Sequence, residues 1–201
     1  MNVPIRLGTT TPPLLIQLLL ACFAFLPTTR AVSPPPDGGY AGFTTAEGSN
    51  ALQNLTTGLG NTATGWHSLF ANTAGNLNTA IGAGTLLFNA GNNNTATGYQ
   101  ALFANEDGDN NAAYGYIALS NSTSDFNTAF GSQTLVSDTS GRNNTAIGYQ
   151  ALLFNTLGNF NIAIGAYAWD NLTTGISNID IDNEGIAGGK RNHPHRTKPV
   201  P

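Results

Sequence analysis

A short internal repeat runs through most of this chain of 201 residues. Its clearest copy reads Asn-Thr-Ala-Ile-Gly and occupies residues 144–148. The glycine that ends this motif recurs every 16 or 17 residues, at Gly48, Gly65, Gly82, Gly98, Gly115, Gly131, Gly148 and Gly165. A fixed period of this length is typical of a repeat architecture, in which each unit forms one layer of a stack and contacts its neighbours.

Several positions within the repeat keep one residue type in most copies. Asparagine occupies the first position, as Asn61, Asn78, Asn94, Asn111, Asn127, Asn144, Asn161 and Asn178. Alanine occupies the third, as Ala63, Ala80, Ala96, Ala113, Ala129, Ala146 and Ala163. Leucine occupies the ninth, as Leu52, Leu69, Leu86, Leu102, Leu119, Leu135 and Leu152. A second asparagine falls near the eleventh or twelfth position, as Asn72, Asn89, Asn105, Asn121, Asn155 and Asn171, and a second glycine closes most units.

A unit of this length with two Gly/Asn-rich corners has room for two strands of roughly five residues and two tight turns. Stacked units place equivalent residues roughly 4.8 Å apart, so that asparagines hydrogen-bond along the stack and also suit left-handed corners. We therefore predict an all-β fold, a β-solenoid (parallel β-roll) of about eight 16–17-residue coils over residues 44–189. Asn/Gly/Thr richness is also typical of disordered tracts, but a disordered chain does not require leucine at a fixed position.

The first 31 residues have the features of a secretory signal peptide. Arg6 supplies a positive charge, residues 14–26 are apolar apart from one glutamine, and Thr29-Arg30-Ala31 is a small-x-small cleavage site. The run is shorter than the roughly 20 apolar residues of a membrane span. The only cysteine, Cys22, follows a lipobox-like Leu-Leu-Ala, which makes lipidation an alternative. Because the apolar run continues past Cys22, we predict cleavage near Ala31 and a secreted or cell-surface protein.

Two further segments flank the repeats, and the charges are unevenly divided among them. Residues 32–43 form a Pro/Gly-rich lead-in, and residues 190–201 a basic tail that we predict to be disordered. All 11 acids and a single base, Arg142, lie between residues 32 and 189, which gives 1 − 11 = −10. This charge argues against nucleic-acid binding, which needs clustered Lys and Arg. Because the acids form no column in the repeat, we interpret them as solvated corner residues.

No arrangement of residues in the sequence indicates catalysis. The histidines, His67, His193 and His195, lie near no candidate nucleophile or spaced ligand set. The acidic segment 106–109 has carboxylates suited to calcium, but it occurs in one coil only, so we favour a surface loop. A polysaccharide-cleaving β-helix enzyme needs carboxylates converging on one face, and the acids here are scattered. We predict a protein that is not an enzyme, with no catalytic, cofactor-binding or metal-binding residues.

The repeat resembles the coil motif of YadA-like head domains in trimeric autotransporter adhesins. Residues 78–82 and 144–148, both Asn-Thr-Ala-Ile-Gly, carry the resemblance, although the unit here is longer than the adhesin coil. Segments 34–48 and 177–188 also resemble secreted proteins of environmental bacteria. The resemblance implies a trimer of left-handed parallel β-rolls that projects from a cell surface. It further implies binding to extracellular matrix, polysaccharide or other cell surfaces.

The small-residue columns bear on the oligomeric state. Unbroken Ala and Gly columns fit the close approach of another backbone, either across a narrow interior or across a trimer axis, and the resemblance favours the homotrimer. We therefore predict a non-catalytic structural or adhesive protein. The alternative is an ice- or crystal-surface-binding solenoid, because threonine fills the second position at Thr62, Thr79, Thr95, Thr128 and Thr145. Ala112 interrupts that column.

Overall fold

The computed structural model describes residues 42–181, which contain strands and turns but no helix, and therefore no helix that could cross a bilayer. The predicted signal peptide, nearly all of the lead-in and the basic tail lie outside these residues. Nine strands form one parallel sheet in chain order. They are β1 Thr45–Glu47, β2 Thr62–Thr64, β3 Thr79–Ile81, β4 Thr95–Thr97, β5 Ala112–Tyr114, β6 Thr128–Phe130, β7 Thr145–Ile147, β8 Ile162–Ile164 and β9 Ile179–Ile181.

Each strand pairs with the equivalent strand of the next repeat, which confirms the predicted β-solenoid. In the pairing of β2 with β3, for example, Ala63 lies opposite Ala80. We number the coils 1 to 8, beginning at residues 44, 61, 78, 94, 111, 127, 144 and 161. Because the register never slips, every sequence column is also a physical row along the stack.

The path of each coil differs from the prediction of two five-residue strands. A coil contains one strand of three residues, and turns make up the rest. The reason is a positive φ at the seventh, ninth and last positions, for example 52° at Gln100, 50° at Leu102 and 58° at Asn110. A left-handed residue ends an extended strand. The turns still pair with the next coil, as in the bond from the Leu102 N–H to the Ala118 carbonyl at 3.0 Å.

The interior is lined by the alanine column, the leucine column and the small residues between them. Fully buried leucines are Leu69, Leu86, Leu102, Leu119, Leu135 and Leu152, which confirms that this column points inward. The alanines from Ala63 to Ala163 are also fully buried within the single chain. Of the two alternatives that the sequence left open for this column, the structure shows the narrow interior and not the contact between protomers. The physical reason is strand alternation, which turns the third position inward and the second and fourth outward.

Two columns of buried asparagine form hydrogen-bonded ladders. In the first, the Asn78 side-chain amide donates to Asn61 Oδ1 (3.1 Å) and to the Gly91 carbonyl (2.9 Å). The second column lies at the twelfth position and contains Asn72, Asn89, Asn105 and Asn155. These asparagines have no positive φ, so their role is the predicted hydrogen bonding along the stack. The left-handed corners are formed by other asparagines, Asn50, Asn93, Asn110 and Asn143. Asn121 and Asn171 lie at the eleventh position, outside this buried column, and are exposed.

Candidate functional surface

The second and fourth positions of each coil point outward and define what we call the outer sheet face. Threonine fills much of the second position, as Thr45, Thr62, Thr79, Thr95, Thr128 and Thr145, and Ala112, Ile162 and Ile179 fill the rest. The predicted threonine column therefore does lie on an outward surface, and most of its members are half-buried. Its interruptions are at the fifth coil and at the two last strands.

The fourth position changes from mixed to apolar along the stack. Its residues are Glu47, Thr64, Ile81, Thr97, Tyr114, Phe130, Ile147, Ile164 and Ile181. From β6 onward the column is apolar, and Phe130 remains 55% exposed and Ile181 68% exposed. Exposed apolar side chains in one continuous row are typical of an interaction surface. The residues of this row can be read from the sequence, but their exposure depends on the outward direction of the fourth position, which follows only from the path of the coil.

Aromatic side chains line the corner that follows the strands. Trp66, Tyr99, Tyr116 and Tyr149 occupy the sixth position, and each is 43–57% exposed. The rings of Tyr99 and Tyr116 pack in parallel with their centroids 5.7 Å apart. The ring of Tyr149 instead makes an edge-to-face contact with the ring of Tyr167, at the seventh position of the next coil, with their centroids 5.2 Å apart. These rings extend the apolar surface beyond the outer sheet face.

Acidic residues form part of a third ladder, at the outer corner just before the last position of each coil. The Asn92 N–H donates to Asp109 Oδ1 at 2.6 Å, and the Asp109 N–H donates to Asp125 Oδ1 at 2.9 Å. Glu106 and Asp107, in the same acidic segment, are exposed. Within residues 42–181 no three His, Cys, Asp or Glu side chains come together as a metal site. Asp109 and Asp125 are thus engaged by backbone donors of the preceding coil.

His67 is the one histidine that the described residues include. Its ring is stacked between Trp66 (centroids 3.9 Å apart) and Phe70 (4.7 Å). The Asn50 side-chain amide lies 2.7 Å from His67 Nε2. The contacts of this imidazole are those of a packed corner side chain, with neither a nucleophile nor a second ligand beside it. His193 and His195 lie outside the described residues.

Asp138 contradicts the prediction that the acids are solvated corner residues. It occupies the twelfth position of coil 6, in the buried asparagine column, and is fully buried. Burial raises the pKa of Asp138 from its usual 3.8 to about 7, although hydrogen bonds from Ser122, Gly141, Ser124 and Asn155 act in the opposite direction. The signal that the sequence analysis missed is its position, since Asp138 follows Asn127 by the same eleven residues that separate Asn72 from Asn61.

Comparison with known proteins does not assign this chain to a family. The chain matches no protein-family model, no curated protein and no solved structure. A β-solenoid is a scaffold that carries many functions, so the fold does not by itself identify one. The function is therefore argued from the chemistry of the surfaces described above.

Proposed function

We propose that this chain is a secreted or cell-surface protein with a non-catalytic, structural or adhesive role, similar to the head of a trimeric adhesin. The observation that carries the proposal is the continuous apolar row on the outer sheet face, including Phe130, Ile147 and Ile164. A rigid stack with such a row is suited to association along its length. The described residues bring no acid, base and nucleophile together in a way that favours catalysis instead.

We propose in addition that the protein forms a homotrimer through its outer sheet face. The alanine column is already used inside the chain, so it is not available to a second protomer. The fourth position is available, and its apolar members are concentrated from Phe130 to Ile181. Burial of apolar surface is the dominant favourable term in most protein–protein association. The fourth position is more polar in the first coils, so we do not place these coils at the contact between protomers.

Light scattering on the secreted protein tests the trimer. The wild type is expected to have three times the mass of the single chain at micromolar concentration. The double variant F130T/I147T is expected to have the mass of one chain, because it removes the first two of the four apolar side chains in the row from Phe130 to Ile181. Threonine already occupies this column at Thr64 and Thr97, so the fold accommodates it.

Leu157→Thr is the matched control, since Leu157 is 52% exposed at a different corner of the coil. This variant is expected to keep the wild-type mass. A wild type that scatters as a single chain contradicts the trimer. Retention of the trimer by F130T/I147T places the contact elsewhere. Binding of the trimer and of the monomeric variant to immobilised matrix proteins and polysaccharides then tests adhesion.

Ice or crystal-surface binding is the alternative, and one observation favours it. Threonines such as Thr62 and Thr79 lie in register on an outward, parallel sheet. The adjoining fourth position, with Tyr114 and Phe130 in neighbouring coils, breaks the regularity that a flat binding array needs. Absence of thermal hysteresis in the purified protein at millimolar concentration would remove this alternative.

A further inference from the structure

Three departures from the repeat meet at one place inside the solenoid. Ser122 replaces asparagine at the twelfth position of coil 5, and Ser124 replaces the glycine that closes the same coil. Asp138 replaces asparagine at the twelfth position of coil 6. All three side chains are buried. These three departures from the repeat contact one another, which indicates that they share one structural cause.

The two serines compensate for each other in size. At several other coils, a Cβ on the closing glycine would collide with the asparagine of the twelfth position and with a backbone carbonyl of the next coil, as at Gly75, where it would meet Asn72 and Gly91. Serine is shorter than asparagine, so Ser122 leaves the space that the side chain of Ser124 occupies. The result is a pair of hydroxyl groups 3.0 Å apart in place of one amide.

Both hydroxyl groups face the Asp138 carboxyl group. Ser122 Oγ lies 2.8 Å and Ser124 Oγ 3.4 Å from Asp138 Oδ2. On the other side, the Asn155 amide donates to Asp138 Oδ1 at 3.1 Å. Ser124 Oγ also donates to the Gly141 carbonyl in a short contact. The carboxyl group therefore lies at one end of a chain of hydroxyl groups that ends on a backbone acceptor.

The ladder has a direction, and it is reversed between the serines and Asp138. In the asparagine coils each amide donates to the oxygen of the coil before it, as Asn105 does to Asn89 at 2.7 Å. At the cluster Ser122 and Ser124 of coil 5 instead donate to Asp138 Oδ2 of coil 6. A protonated Asp138 has a proton to donate back to Ser122, whereas a carboxylate only accepts. The ladder is incomplete at this cluster, because Asn105 Oδ1, which precedes Ser122, has no hydrogen-bond partner.

Every side chain that hydrogen-bonds to Asp138 from the flanking coils is uncharged. Coil 5 contributes the two serines and coil 7 contributes Asn155. The nearest charged residues along the chain are Asp125 and Arg142, which belong to the outer ladder. There Asp125 accepts from the Asp109 N–H, and the Arg142 N–H donates to Asn159. No charge thus compensates an ionised Asp138, and burying an uncompensated carboxylate is strongly unfavourable.

We propose that Ser122, Ser124 and Asp138 form a pH-sensitive joint inside the solenoid, in which Asp138 is held as the neutral acid and its ionisation loosens coils 5 to 7. The folded chain then binds one proton more than the unfolded chain between pH 3.8 and about 7, in keeping with the raised pKa of Asp138. This contribution to stability is fully present below pH 3.8 and is lost as the pH rises through about 7.

Chemical denaturation of the full secreted chain between pH 4 and 8.5 tests the joint. Compared with Asp138→Asn, the wild-type unfolding constant is expected to rise about tenfold per pH unit between roughly pH 4.5 and 6.5 and to level off above pH 7. The variant is expected to fold, because asparagine fills the same column at Asn72, Asn89, Asn105 and Asn155. The matched control is Asp107→Asn, an exposed acid that should keep the wild-type pH dependence.

A second measurement uses the wild type alone and does not depend on the folding of a variant. The side-chain carboxyl ¹³C signal of Asp138 in the wild type is expected to titrate well above the ordinary aspartate range. Either of two results overturns the proposal. One is an equal pH dependence of unfolding in the wild type and Asp138→Asn, and the other is a carboxyl signal that titrates near its ordinary pKa.

Discussion

The leucine of the ninth position combines two properties that rarely occur together in one residue. Leu102 is fully buried, and its φ of 50° lies in the left-handed region that non-glycine residues seldom adopt. Its backbone therefore forms a corner while its side chain fills the interior. The strain of the corner, on the order of 1–2 kcal/mol, is offset by burial of the side chain, worth roughly 1.5–3 kcal/mol. This balance explains why the column keeps a large apolar residue where glycine would be the easier choice.

Leu102→Ala is expected to destabilise the solenoid by about 2–5 kcal/mol, because it leaves a cavity that the rigid stack does not refill. The matched control is Gln100→Ala, at a half-buried residue with a similar φ of 52°. Both changes keep the left-handed corner and its Cβ, so the difference between them isolates the buried side chain. The free energy of unfolding from denaturant titration measures it, and equal losses would contradict the interior role of the leucine.

At the scale of the element, the short strand and its following turn are limited by the spacing between coils. Gly82 ends β3 with a φ of 132°, and a Cβ placed on it would lie 2.5 Å from the carbonyl oxygen of Gly98 in the next coil. Gly84, two residues later, has a φ of 66°, and the nearest atom to its Cβ would be Gln100 Cγ at 3.3 Å. Gly82 is required because a Cβ there would collide with the backbone of the next coil, whereas a Cβ at Gly84 would lie close only to side-chain atoms.

Two alanine substitutions distinguish these requirements. Gly82→Ala is expected to lower the free energy of unfolding by roughly 2–6 kcal/mol, the sum of backbone strain and overpacking against Gly98. Gly84→Ala should lower it by about 1–2 kcal/mol, since other residues of this column, such as His67, already adopt a left-handed φ. Thermal and chemical unfolding of both variants check the order, and a Gly84→Ala that is the more damaging of the two would refute it.

At the scale of the whole molecule, the described coils behave as interchangeable layers. Each strand contacts only the strand before and the strand after it, with the same residue-to-residue register. The two terminal coils share one departure from the repeat, because Leu55 and Leu172 replace the asparagine of the second ladder and pack against the core. An amide there would have a partner on one side only, whereas a leucine needs none.

Deletion of residues 94–110 tests this modularity. The cut removes coil 4 and lets β3 pair with β5 in the same register, so the shortened chain is expected to remain folded. Its denaturant m-value should fall, because less surface is exposed on unfolding. Deletion of residues 94–102 is the control, since it shifts the leucine column out of phase and is expected to abolish cooperative unfolding. A 94–110 deletion that is as disordered as the control would show that coil 4 is not an independent layer.

The period of the sequence determined by itself which residues are superposed along the stack. A fixed spacing aligns Ala63 with Ala80 and one ladder asparagine with the next, so the β-solenoid, its register and its buried leucines follow from the columns alone. Only the tertiary structure decided where the other columns point. That direction depends on the left-handed φ angles at the corners, which form because each coil closes against its neighbours. These φ angles cannot be read from the residue types in a column. The structure therefore turned the alanines inward, exposed the row from Phe130 to Ile181, and buried Asp138 among the asparagines.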